Sequence, residues 1–214
     1  MKMQIPIIPM TSDADNDILM GRVYFDVLTP KMTGEATKAV AVKEKVSAEQ
    51  QGEKGIVLVM DVKGLQRKNL NDVLLKRLKI RGKRTWFLTN IESVDDVFDA
   101  FNTDAEAVLV PTHTVRSEEE FEDILAVSDS AIPAVFVRKK NAILIGKSLS
   151  FRSAADSVFR YGYSSVAVID TDGSLSEEDW TMLRDMGNVM PCSFTGRVRN
   201  FEELGFERYF TAPE

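Results

Sequence analysis

The 214-residue chain has one cysteine, Cys192, and one histidine, His113. A lone cysteine excludes a disulfide framework and fits a reducing, cytoplasmic compartment. With no Cys-x-x-Cys phrase and no His/Cys cluster, the chain has no set of ligands for a structural zinc. No apolar run is long enough to span a bilayer. The opening residues 1–9 are a short apolar stretch broken by Pro6 and Pro9, unlike a secretory signal. Basic residues number 27 against 33 acidic ones, a net charge of −6. That balance repels phosphodiester backbones and argues against broad nucleic-acid binding, although a local basic pocket for one small anion is compatible with it. What the chain does have is a core: 44% of its residues are hydrophobic, enough for one α/β domain over residues 1–214.

Short β-branched runs alternate with amphipathic stretches. Gln4–Met10, Gly55–Asp61, Arg84–Leu88, Glu106–Val110, Ile132–Val137, Ser165–Ile169, Val189–Phe194 and Arg208–Phe210 read as strands. Several are apolar throughout, as expected of parallel strands buried on both faces. Glu35–Gln50, Asn69–Lys79, Ser93–Phe101, Ser117–Val127, Ser150–Tyr161, Ser176–Met186 and Asn200–Leu204 read as helices, several opened by a capping serine or asparagine. The pairs Phe98/Phe101 and Phe121/Leu125 read as core stripes. Residues 11–20 read as an acidic loop. About eight strands in alternation with helices predict parallel pairing and right-handed crossovers. The fold expected is a compact (β/α)8 TIM-type barrel with a short last unit, since the length sits near the lower bound for such barrels. An open doubly wound sheet is the alternative.

Local phrases carry a resemblance. Ile7-Ile8-Pro9, Ile56–Asp61, Asn69-Leu70, Asn90–Val97 and Thr195-Gly196-Arg197-Val198-Arg199-Asn200-Phe201-Glu202-Glu203-Leu204 resemble the histidine-biosynthesis barrels. These are the phosphoribosylformimino-aminoimidazole-carboxamide ribotide isomerase and the cyclase subunit of imidazole glycerol phosphate synthase. The resemblance implies a (β/α)8 barrel, a phosphorylated metabolite held at the strand ends, and two aspartates acting as acid and base. It implies no cofactor and leaves both homo- and hetero-oligomers open. The chain departs from the pattern where the chemistry lies. The two aspartate places are Ser12 and Phe136, and phenylalanine moves no proton. Leu88-Thr89-Asn90 and Pro111-Thr112 replace the family's glycine-containing turns.

Catalytic groups in such barrels come from residues just past the strands. Asp61 stands there, with Lys63 two places on in an Asp-x-Lys phrase shared with orotidine monophosphate decarboxylase barrels, although Gln66 stands where those have a further aspartate. A carboxylate beside an ammonium can transfer protons or hold an anion; a loop ion pair is the simpler alternative. Asp170 and Asp172 follow another strand in a phrase that reads equally as an Asp/Gly turn. Thr195, Gly196, Arg197 and Arg199 are the phosphate-binding candidates, because glycine lets a backbone approach an anion and arginine pairs with it bidentately. His113 follows a strand without an identifiable nucleophile partner, which favours a structural role, and Cys192 reads as a small core residue. Two functions follow as expectations. One is an enzyme on a small phosphorylated metabolite. The other is a non-catalytic barrel serving as scaffold, ligand sensor or partner-binding subunit.

Overall fold

Met3–Ser12 forms β1, and Ile18–Met20 (β2) pairs antiparallel with its end. The computed structural model describes residues 2–12, 18–33, 55–71, 74, 84–195 and 200–212. Arg22–Asp26 (β3) and Thr29–Thr33 (β4) make a separate two-stranded hairpin. Val57–Asp61 (β5) runs straight into Val62–Arg67 (α1). Thr85–Leu88 (β6), Val94–Phe101 (α2), Ala107–Pro111 (β7) and Glu118–Val127 (α3) follow. Ala131–Arg138 (β8) turns back through Asn141–Leu144 (β9) and Lys147–Ser150 (β10) before Phe151–Arg160 (α4). Val166–Asp170 (β11), Glu177–Met186 (α5), Val189–Ser193 (β12) and Arg208–Thr211 (β13) complete the order.

Eight of these strands pair in parallel, in the order β13-β1-β5-β6-β7-β8-β11-β12. The last strand of the chain thus lies beside the first. β12 and β13 lie side by side, but no hydrogen-bonded ladder joins them among the described residues. The described fold is a mixed α/β sheet, rich in parallel strands and flanked by helices.

Strand alternation sorts side chains onto two faces. One face is common to all eight parallel strands. Ile7, Leu58, Met60, Leu88, Leu109, Phe136, Ile169, Cys192 and Phe210 belong to a single buried cluster there. The other face is covered by helices. Val108, Val110, Val135, Val137, Val166 and Val168 pack there against Val97, Phe121, Ile124, Val158, Trp180 and Leu183. β1, β5 and β6 contribute Ile8, Met10, Val57, Val59 and Phe87 to a smaller cluster with Leu74. Cys192 is fully buried, as its apolar strand context led us to expect.

Five expectations change. The helix expected from Asn69 does not begin there: α1 forms seven residues earlier, capped by Asp61, and ends at Lys68 in the left-handed conformation. Residues 69–71 are not helical, Leu74 is, and the remainder of that stretch lies outside the described residues, as do residues 35–50. Residues 18–20 are strand rather than loop. The strand–helix alternation breaks after β8, where β9 and β10 add an antiparallel meander. On α2, Val97 and Ala100 are buried and Phe101 packs against the core as expected, while Phe98 is 51% exposed and does not belong to the stripe. Residues 201–205 form turns instead of a helix.

Candidate functional site

The C-terminal strand ends gather most of the polar residues singled out from sequence. Asp61 closes β5. Leu58 and Met60 lie on the common face, so alternation turns Asp61 to the opposite side. It is fully buried. Its Oδ1 accepts from the Gly64 N–H at 2.9 Å and from Asn71 Nδ2 at 3.2 Å, and its Oδ2 accepts from Thr89 Oγ1 at 2.8 Å. Asp61 is therefore the N-cap of α1. Burial pushes its carboxyl above the usual range, and the three hydrogen bonds oppose that rise. The contact requires glycine at position 64, since a Cβ there would lie 2.1 Å from Asp61 Oδ2. Lys63 does not pair with Asp61. Its Nζ donates to Ser12 O at 3.0 Å and to Ser12 Oγ at 2.9 Å, and Ser12 Oγ donates to Asn71 Oδ1 at 3.2 Å.

Asp170 repeats the pattern at the end of β11. Ala167 and Ile169 lie on the common face, so Asp170 also leaves on the other side. Its carboxylate accepts from the N–H groups of Ser174 at 3.1 Å and Leu175 at 3.1 Å. Burial raises its pKa, against these hydrogen bonds. Asp172 receives the neighbouring turn: its Oδ2 accepts from the Lys139 N–H at 3.0 Å, while Ser174 Oγ accepts from the Lys140 N–H at 3.0 Å. Lys139 and Lys140 both have positive φ, 50° and 61°. Side chains of the β11–α5 loop thus hold a turn whose residues do not favour it. For Asp172 burial acts upward, but the Ser174 and Lys139 hydrogen bonds outweigh it and leave the carboxyl below the usual range. No hydrogen bond or ion pair connects Asp61 with either Asp170 or Asp172 among the described residues.

Apolar side chains fill the common face near the C-terminal strand ends. Phe136 is 1% exposed on β8, at the place the resemblance gives to an aspartate. Phe25, from the β3–β4 hairpin, lies against it with ring centroids 5.8 Å apart and against Phe194 at 4.8 Å. His113 also meets Phe136, edge-on, with centroids 5.0 Å apart. His113 Nδ1, and Asn90 Oδ1 on the adjoining loop, lack partners among the described residues. Their loops run side by side, tied by Thr114 Oγ1 donating to Ile91 O at 2.6 Å and by the Arg116 N–H donating to Glu92 O at 3.1 Å. Burial, with the Lys68 charge as a second cause, lowers the His113 pKa to about 4. The imidazole is neutral at physiological pH and accepts or donates without charge.

Of the phosphate candidates, Thr195 is exposed just beyond β12, while Gly196, Arg197 and Arg199 lie outside the described residues. Among the described residues no group of three or more His, Cys, Asp or Glu side chains converges to hold a metal, and no helix is long and apolar enough to cross a membrane. A groove of about 650 Å³ lies elsewhere, between α4 and α5, lined by Arg152, Glu178, Met182 and Met186. Neither a protein-family model nor a curated protein sequence matches the chain.

Proposed function

We propose that this chain is a closed (β/α)-barrel of the kind that the histidine-biosynthesis resemblance implies. On this reading it is a non-catalytic, ligand-sensing barrel that binds a small phosphorylated metabolite at the C-terminal strand ends. Closure is supported by the single cluster that draws on all eight parallel strands. A flat sheet of eight strands would separate its outer members by about 33 Å, too far for one cluster.

The observation that carries the functional half is the use made of the two candidate acids. Asp61 and Asp170 point away from the common face, and their oxygens are taken up by a helix cap and a turn. A general acid must reach substrate. Phe136, Phe25 and Phe194 occupy the position facing the mouth instead. The ligand class is supported by charge. In a chain of net charge −6, Arg138 ends β8 with Lys139 next in sequence, the Lys68 charge acts on His113, and Arg197 and Arg199 follow β12 in sequence.

A thermal-shift screen with sugar phosphates, ribonucleotides and inorganic phosphate tests this reading, because a ligand that binds only the folded state stabilises it by mass action. A compound that raises the melting temperature of the native chain but not of Arg197→Ala supports it. No shift from any phosphate compound removes the ligand class and leaves a scaffold or partner-binding role.

A further inference from the structure

Among the described residues the β3–β4 hairpin belongs to no other sheet: its two strands pair with each other, with no backbone ladder to the main sheet. What seats it is one apolar face: Val23, Phe25, Leu28 and Met32 pack onto the common-face cluster. One side-chain hydrogen bond adds to this, from Gln66 Nε2 on α1 to Pro30 O at 3.0 Å. The opposite side is open to solvent, with Tyr24 at 49% and Val27 at 54% exposure. Beneath the Phe25 ring lie Phe136 and Phe194; His113 meets Phe136 edge-on, and Asn90 stands on the loop tied to that of His113, with Asn90 Oδ1 and His113 Nδ1 unpaired among the described residues. Buried polar groups without partners are uncommon in folded proteins and need a reason. Among the described residues the hairpin is held by side-chain packing and one hydrogen bond, and such an element opens at lower cost than the ladder-bonded strands below it.

We propose that the β3–β4 hairpin is an autoinhibitory plug whose Phe25 ring closes the C-terminal mouth and which lifts as a unit to uncover Phe136, Asn90 and His113. The proposal rests on reading that mouth as the binding site. It is independent of which ligand enters, and so of the phosphate screen.

Two thiols in one molecule test it. The buried native Cys192 reports opening of the core. A second thiol, introduced by Val23→Cys on the seated face of the hairpin, reports lifting. Labelling with iodoacetamide under native conditions, across low urea concentrations, gives both rates. The plug predicts that the position-23 thiol is protected relative to unfolded chain, yet reacts faster than Cys192 and with a weaker urea dependence. Gln66→Ala, an exposed change, then speeds labelling at position 23 by about fivefold, as for one net hydrogen bond, and leaves Cys192 unchanged. Two thiols reacting together with the same urea dependence would mean that the hairpin opens only on global unfolding, which overturns the proposal. So would a position-23 thiol that reacts at the unfolded rate and ignores Gln66→Ala, because such a hairpin is never seated.

Discussion

Acidification below pH 6.5 should destabilise this protein through its one histidine. His113 is held neutral by burial and by Lys68, with a pKa of about 4 in the folded state, against about 6.5 in an unfolded chain. The folded pKa is the lower one, so the unfolded state binds the proton first. The stability is fully present above pH 6.5 and is lost as pH falls toward 4. A shift of this size corresponds to about 2.5 kcal/mol lost by pH 4.5. Asp61 acts in the opposite direction. Its carboxyl is raised by burial, so protonating it on acidification relieves a cost. The two contributions are separated by urea denaturation of wild type and His113→Gln at pH 7 and pH 4.5. The wild type should lose about 2.5 kcal/mol more than the variant over that interval. With one imidazole in the chain, its NMR titration needs no assignment and should show a midpoint near 4. A midpoint between 6 and 7, or superimposable pH dependences for the two proteins, would refute the burial argument.

Three further outcomes follow from the same geometry. Gly64→Ala drives a Cβ to 2.1 Å from Asp61 Oδ2 and 2.8 Å from Thr89 Oγ1. Chemical denaturation should show a loss of about 2 kcal/mol or more, with α1 displaced from its cap. Asp172→Ala removes the acceptor for the Lys139 N–H and should cost about 1–2 kcal/mol in the same measurement; an unchanged midpoint would mean the Lys139–Lys140 turn is held otherwise. Val27 has a φ of 60° at the tip of the hairpin, a conformation that branched side chains resist. Val27→Gly should raise stability by about 0.5–1 kcal/mol, and a lower melting temperature would count against the strain.

The parallel strands were legible because burial on both faces leaves a continuous apolar run, as in Val57–Met60 and Val166–Ile169. The same property hides the phase of alternation. From sequence, an acid after such a run looks alike whether it faces the common side or the helices. Only the packing of Met60 and Ile169 shows that Asp61 and Asp170 turn away. The β9–β10 meander escaped detection for a different reason. Its turns place Lys139, Lys140 and Ile145 at positive φ, where Asn and Gly are the usual signals. Lys139 and Lys140 are tolerated because Asp172 and Ser174 accept their amides, and Ile145 donates its N–H to Thr112 O at 2.9 Å. The β3–β4 hairpin was missed likewise, with Val27-Leu28 at its tip in place of turn residues. Phe136 was the informative site residue. Its identity alone removed a proton carrier from β8, and the structure adds that its ring is packed by Phe25 and His113.

The central claim is that the strand-end acids build the mouth without acting in it. The most direct test measures ligand binding, turnover and stability together for wild type, Asp61→Asn and Asp170→Asn, using whichever phosphate compound the thermal-shift screen identifies. The account predicts unchanged affinity in both variants and a lowered melting temperature for Asp170→Asn, whose amide can no longer accept every turn N–H. It also predicts no turnover in any of the three. Turnover by the wild type that disappears in Asp61→Asn while its melting temperature holds would contradict the account and make Asp61 a catalytic acid.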